Sequence, residues 1–499
     1  MRALINSKPD MMHDPSSGPA KQIRPLPPRR GLHGPLLVGL FLVLASLPLA
    51  AAAWLSGIEP AASLSELATA LGLVAGALLC IQFLTSGRYE TFSGRLGIDR
   101  TMGFHRIAAL ALLMCALAHP LVYLLDTAIA DPRAAWQRLT GLVSGDRTRT
   151  GVFALCGLAT LALFAVWRSA TGVRYELWRA SHGLLAIVVV GLTLHHAITI
   201  GAYSAEPSVQ WTWWLLALIA TGAAIMVYVI RPWRMWREPW HVANVTSAGD
   251  GAWQIDLRGP ENAAFSFLPG QFVWITLEPN RPPFHDHPFS IASAPHELPV
   301  LRLLVRESGD CTRHFGRIAP GTRVAIDGPH GSFILPDEAA TIVMMAGGVG
   351  IAPILGMLEH AAGTGDRRKF HLMVAGRTPR ALPGLARLRT LQNRLDLTIA
   401  AFVDTPTAEA GFIPRQITQP DIAAIVGDPA ATLAYVCGPP GWMATMTDAL
   451  LETGLPARSI HYERFDYASG GGRIDRARLY QATAVLAILA LAMIAFALR

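Results

Sequence analysis

Two stretches decide how this chain is read: His105-Arg-Ile-Ala-Ala-Leu-Ala-Leu-Leu-Met-Cys-Ala-Leu-Ala-His119, and His182-Gly-Leu-Leu-Ala-Ile-Val-Val-Val-Gly-Leu-Thr-Leu-His195-His196. Each is apolar between its histidines and reads as a helix. At about 3.6 residues per turn, spacings of 14 (105 to 119) and 13 (182 to 195) keep both histidines near one face. The rise between them is about 20 Å, most of the roughly 30 Å of hydrocarbon in a bilayer. Two such helices side by side offer one histidine pair near each membrane surface. Each pair can clamp a planar metal cofactor between imidazoles, and haem is the natural candidate. A lone intramembrane histidine could instead hydrogen-bond a neighbouring helix. Four at matched spacings favour ligation, because ionisable side chains in lipid are costly and usually functional. His196 is an alternative to His195, since 182 to 196 is also an acceptable spacing. No Cys-x-x-Cys-His run occurs, so haem would be held without covalent attachment, as in b-type cytochromes.

The composition agrees with a membrane location. The chain has 499 residues, and a hydrophobic content of 52% is too high for an ordinary soluble protein. Apolar runs long enough to span a bilayer lie near 35–55, 64–84, 104–125, 151–170, 179–200 and 211–230, with a seventh at 479–498. Basic residues before the first run (Lys21, Arg24, Arg29, Arg30), after the second (Arg88, Arg95, Arg100), after the fourth (Arg168, Arg174, Arg179) and after the sixth (Arg231, Arg234, Arg237) alternate with connections lacking Lys and Arg. This pattern places the N-terminus and the large polar region in the cytoplasm. The 126–150 loop, with Arg133, Arg138, Arg147 and Arg149, departs from it. The net charge of +7 is therefore mainly a topology signal and calls for no nucleic acid. Pro48-Leu-Ala-Ala-Ala-Ala53 could pass for a signal-peptidase site, but the long basic region before it favours an uncleaved helix. The five cysteines show no pairing pattern, so disulfides are not expected.

From about residue 240 the pattern changes to short alternating strands. Ala252–Leu257 and Phe272–Leu277, joined through Pro269-Gly-Gln271, read as strands of an antiparallel barrel. Thr341–Ala346 reads as a buried parallel strand, followed by the turn Gly347-Gly-Val-Gly350 and a helix over Ile354–His360. Such a turn lets backbone N–H groups approach a pyrophosphate at a helix N-terminus, although glycine turns are common in α/β folds.

His287-Pro-Phe-Ser-Ile-Ala-Ser293 resembles the flavin signature of the NADPH oxidase and ferric reductase superfamily. The order of Pro269-Gly-Gln-Phe272, Gly309-Asp-Cys-Thr312, Gly328-Pro-His-Gly331, Gly347-Gly-Val-Gly-Ile-Ala-Pro353 and Cys437-Gly-Pro-Pro440 agrees. Together they resemble a ferredoxin–NADP reductase module, and the histidine helices resemble the family's ferric-reductase-like membrane domain. The resemblance implies that His287, Pro288, Phe289 and Ser290 line the isoalloxazine of FAD, with Ser290 donating toward its reactive nitrogen. It implies that Thr312 and the Gly309 turn hold the FAD pyrophosphate, and that Gly347, Gly348 and Gly350 approach the phosphates of the nicotinamide dinucleotide. Cys437 and Gly438 would border the nicotinamide, and Phe465 would cover the flavin; ordinary burial is the alternative for Cys437 and Phe465.

The expected architecture is a membrane α-helical bundle of six helices, a cytoplasmic antiparallel β-barrel FAD domain and an α/β nucleotide-binding domain, with an extra C-terminal transmembrane helix. The expected divisions are a disordered tail (1–33), the haem-binding membrane domain (34–235), the FAD domain (236–338), the NADP domain (339–467), a linker (468–478) and the last helix (479–498). His105 and His182 would hold an inner haem b, and His119 and His195 an outer one. Arg106 and Arg179 could neutralise haem propionates or simply anchor the interface. Arg377 and Arg380 sit where a 2′-phosphate would be met, favouring NADPH over NADH. The expected function is electron transfer from cytoplasmic NADPH through FAD and two haems, across the inner membrane, to dioxygen or a ferric chelate. The alternative is a conduit feeding a periplasmic protein partner or quinone.

Overall fold

Among the described residues, seven helices are long and apolar enough to cross a membrane. The computed structural model describes residues 26–28, 31–261, 264–278, 280, 285–336, 341–464 and 471–499. The membrane part begins with α1 (Gly34–Trp54), α2 (Ser63–Ile81), the short α3 (Glu90–Leu96) and α4 (Ile98–Ala130). It continues through α5 (Pro132–Ser144), α6 (Arg149–Thr171), α7 (Tyr175–Ile200) and α8 (Pro207–Ile225). A π-helical turn, Met226–Ile230, joins α8 to α9 (Arg231–Arg237) in one rod.

The bundle is built around α2. Its small residues (Ala70, Gly72, Ala75, Gly76, Ala77) let neighbours approach closely, as packing in lipid requires. A side chain on Gly76 would lie 2.8 Å from the Trp213 ring of α8. Helices α1, α4, α7 and α8 all pack on α2. The 126–150 segment is not simply a loop: α5 occupies most of it, with Pro132 in its first turn and the Asp131 carboxylate accepting the Arg133 N–H at 2.9 Å.

Beyond the bundle, six strands form an antiparallel sheet: β1 (Trp240–Gly249), β2 (Ala252–Arg258), β3 (Phe272–Leu277), β4 (His287–Ser290), β5 (Val300–Arg306) and β6 (Arg323–His330). Their order is β4-β3-β6-β1-β2-β5, and a bridge between Ile291 and Leu303 closes the two ends into a barrel around Ile255, Leu257, Phe267 and Leu303. β2 and β3, consecutive in the chain, are not neighbours in it. The four-residue α10 (Gly309–Thr312) sits in the connection from β5 to β6.

A parallel sheet follows, from β7 (Thr341–Gly347), β8 (Lys369–Gly376), β9 (Leu397–Val403), β10 (Thr432–Cys437) and β11 (Ile460–Tyr462), in the order β11-β10-β7-β8-β9. Its crossover helices are α11 (Ile351–Thr364), α12 (Leu385–Leu391), α13 (Gln419–Val426) and α14 (Pro440–Glu452).

The last helix, α15 (Arg473–Ala497), packs on α1, α2 and α4. It starts earlier than its apolar core, and the extra turns carry charge. Asp475 accepts from Tyr462 at 2.6 Å and pairs with Arg464, while Arg478 pairs with Asp99 of α4 at 2.7 Å. At its far end Arg499 reaches Glu66 of α2 at 3.3 Å and the hydroxyl of Tyr203, which itself donates to Glu66 at 2.9 Å. The Glu66 side chain is 4% exposed, so its charge needs these partners. Arg499→Ala is therefore expected to cost about 2 kcal/mol of stability, read as a lower thermal midpoint in detergent. Adding Glu66→Gln should recover most of the loss, and an unchanged midpoint in the single variant would contradict this role for Arg499.

Candidate functional site: a path from a nucleotide crevice to paired histidines

The order of the parallel sheet reverses between β7 and β10, and a crevice at the carboxyl ends of strands forms at such a point. The two turns bordering it are Gly347–Gly350 and Cys437–Pro440, so Gly347, Gly348, Gly350, Cys437 and Gly438 converge there. Gly348 has φ +55°, a left-handed conformation that only glycine adopts freely, and a side chain on Gly350 would collide with the Cys437 carbonyl. Burial pushes the Cys437 thiol up to about 12, and Glu463 adds to the shift. Glu463 is itself raised well above the usual carboxylate range by burial and then by Asp99. Arg377 and Arg380 lie exposed just past β8, the strand beside β7.

In the barrel, His287, Pro288, Phe289 and Ser290 form the edge strand β4, paired with β3 so that buried Ser290 lies opposite Phe272. The Phe289 ring packs 5.6 Å from Phe315. Gly309 has φ +78° and open space where a side chain would stand. Thr312 turns inward: its hydroxyl accepts the Ser308 N–H at 2.6 Å and donates to the Ser308 carbonyl at 2.9 Å, capping its own turn. Phe465 lies outside the described residues.

In the bundle, His105 of α4 holds its Nδ1 3.2 Å from Thr85 Oγ1, and its carbonyl accepts from Gln82 at 3.1 Å. His182 of α7 is within electrostatic reach of His105. His119 sets its Nδ1 2.7 Å from the Ala68 carbonyl, packed against Gly72. His196 lies within electrostatic reach of His119. His195 is on the exposed face, 3.3 Å from Thr150 Oγ1, whereas His196 packs against Gly151 with its Nδ1 buried and unpartnered. A one-residue step on a helix turns a side chain by about 100°, which is why adjacent histidines face differently. The helices α4 and α7 both pack on α2 but scarcely touch each other. That separation, and the hydrogen bonds that orient the His105 and His119 rings through Nδ1, fit bis-histidine haem.

Between barrel and bundle lies a joint that the sequence reading missed. Asp286, one residue before the flavin motif, takes Arg88 at 2.7 and 3.1 Å and also Arg179. Arg179 is thus committed to Asp286 rather than left for a propionate. Asp327 at the end of β6 pairs with Arg231 at 3.4 Å, Arg88 at 3.7 Å and His330 at 3.5 Å. Burial alone would raise both carboxylates; Arg88 and Arg179 hold Asp286 below the ordinary range, and His330 with the arginines does so for Asp327. From this joint an aromatic row runs into the bundle. His287 is 6.0 Å from Tyr175, Tyr175 is 6.0 Å from Trp178, and Trp178 is 5.3 Å from His182. The one sequence signal was an acidic residue at the edge of the motif, facing basic loops.

The chain matches a ferric-reductase-like transmembrane component over residues 71–193, an FAD-binding domain over 238–333 and an oxidoreductase NAD-binding domain over 344–448. It is a multi-pass membrane flavoprotein oxidoreductase. More narrowly, it has the ferric reductase/NADPH oxidase-type architecture, a membrane component fused to a ferredoxin-reductase-like module. Among curated proteins it is 28% identical over 221 residues to the 2-halobenzoate 1,2-dioxygenase electron transfer component of Burkholderia cepacia, covering 42% of this chain and 62% of that one. It is 25% identical to ferredoxin–NADP reductase B of Sorangium cellulosum, covering 43% and 91% respectively. The chain spans about six tenths of the length of the dioxygenase component. Among solved structures, an Amycolatopsis cytochrome P450 reductase matches at 23% identity and TM-score 0.41, over 46% of this chain and 70% of that one. A flavohemoglobin from Malassezia yamatoensis matches at 18% and 0.44, over 74% and 99%. These TM-scores mark loose likenesses.

Proposed function

We propose that the protein carries electrons from cytoplasmic NADPH, through FAD and two b-type haems, across the inner membrane to dioxygen or a ferric chelate. The observation that carries this reading is the pair of histidine helices that share a neighbour, leave a gap between them and bring histidines into mutual reach at two levels. When bound, the cofactors supply the redox chemistry: two-electron uptake at the flavin and single-electron carriage at haem iron.

The residues supply position. His105 with His182 would hold the inner haem, and His119 with His196 the outer one. The Ala68 carbonyl fixes the His119 tautomer by accepting from Nδ1–H, which leaves Nε2 for iron. The edge strand from His287 to Ser290 would line the isoalloxazine, and the open Gly309 turn leaves room for its pyrophosphate. Gly347, Gly348 and Gly350 let the nicotinamide dinucleotide approach the backbone, while the neutral thiol of Cys437 borders the nicotinamide without repelling hydride. Arg377 supports NADPH, because an exposed guanidinium there can meet a 2′-phosphate. The basic loops support a cytoplasmic reductase module.

A second reading, delivery of electrons to a periplasmic protein partner or quinone, draws on the dioxygenase relative, which is named as an electron transfer component.

Anaerobic difference spectra of purified protein are expected to show b-type haem that NADPH reduces. His196→Ala should lose about half of the haem and His195→Ala should keep it; the reverse would overturn the assignment of His196. Arg377→Ala is expected to weaken NADPH use about tenfold more than NADH use in steady-state assays, and equal losses would remove the case for NADPH.

A further inference from the structure

We propose that Asp286 is a positioning residue that fixes the flavin strand against the inner histidine pair and thereby sets how fast electrons leave the flavin domain. The inference rests on the functional reading above.

Three observations converge on this carboxylate. Its side chain is 2% exposed, yet it holds two guanidinium groups, one of them through two hydrogen bonds. Those two arginines belong to the segments that support the two inner histidines. Arg88 follows by three residues Thr85, whose hydroxyl is 3.2 Å from His105. Arg179 precedes His182 by three residues on α7, less than one helical turn. On its other side, Asp286 is joined directly to His287, where the aromatic row to His182 begins. One buried charge therefore fixes the flavin motif both to α7, which bears His182, and to the α2–α3 turn, whose Thr85 meets His105.

The chemistry of the joint explains why it is ionic. An apolar contact would hold barrel and bundle together as well, but it would tolerate sliding. A bidentate guanidinium–carboxylate pair fixes both distance and angle. Trp274 of β3 adds to this, with the Arg88 guanidinium 3.9 Å above its ring. Asp286 is neither oxidised nor reduced in the reaction. With its cofactors bound, the protein would pass the two electrons of the hydride one at a time to two ferric equivalents, and one proton would be released on the flavin side. Transfer between fixed cofactors falls steeply with their separation, so a flavin strand free to move away from the bundle slows the step.

The test uses the full-length holoprotein and compares wild type with Asp286→Asn, Asp286→Glu and Arg179→Gln. Hydrogen–deuterium exchange is expected to rise in peptides covering His287–Ser290 and Tyr175–His182 of Asp286→Asn, with no change across β7 and α11. In stopped-flow spectra, flavin reduction should stay within about twofold while haem reduction slows about tenfold to a hundredfold. Asp286→Glu should restore most of the rate. Arg179→Gln, which keeps the Arg88–Asp286 pair and so the fold, should show a smaller version of both effects. Unchanged exchange and haem reduction would overturn the proposal. Flavin reduction falling in step with haem reduction would also overturn it, by making Asp286 part of flavin binding. If the wild type held no haem the functional reading would fail, whereas the exchange comparison would still decide whether Asp286 fixes the strand.

Discussion

Two buried carboxylates, Asp286 and Asp327, hold the reductase module to the membrane bundle through arginines from three membrane-side elements: the α2–α3 turn, α7 and α9. Burying charge in this way is expensive, and it is tolerated because each carboxylate meets more than one cation. The flavin motif and the inner histidines lie on either side of this joint. The barrel edge that would cradle the flavin is one residue away from Asp286; His182 is three residues from Arg179, and Thr85, three residues before Arg88, meets His105. The π-helical turn contributes as well: Tyr228 lies within electrostatic reach of Arg179 and Arg88, and its hydroxyl fills the space left by Gly183 beside His182.

The second hold is α15. Its first turns pair with β11 through Asp475 and with α4 through Arg478, and its last residue reaches Glu66. The nucleotide-binding domain is thus tied to the bundle at a place separate from the barrel joint. With α2 as the shared packing partner, both ties lead back to the same helix, whose small residues let the histidine helices sit beside it.

Much of this was legible in the sequence, because the relevant signals are local. Hydropathy located the apolar helices, alternation marked β2 and β3, and the glycine turn after β7 located the crevice. What the sequence did not yield depends on side chains meeting across long separations or on small rotations. Choosing between His195 and His196 needs the packing of α7 against α6, where Gly151 receives one ring and Thr150 meets the other. Asp286 and Arg88 are 198 positions apart, and no periodicity links them. The charged first turns of α15 fell below any apolar threshold, so the helix read as shorter than it is. The Thr312 hydroxyl also caps its own turn, a local bond that side-chain identity alone does not reveal.

The most direct test of the account is vectorial transfer in sealed proteoliposomes that hold a membrane-impermeant ferric acceptor only in the lumen. NADPH added outside should reduce the trapped acceptor through those molecules whose reductase module faces outward. Reduction seen only when the acceptor and NADPH share one side would mean that the flavin module works alone and that the bundle carries no electrons.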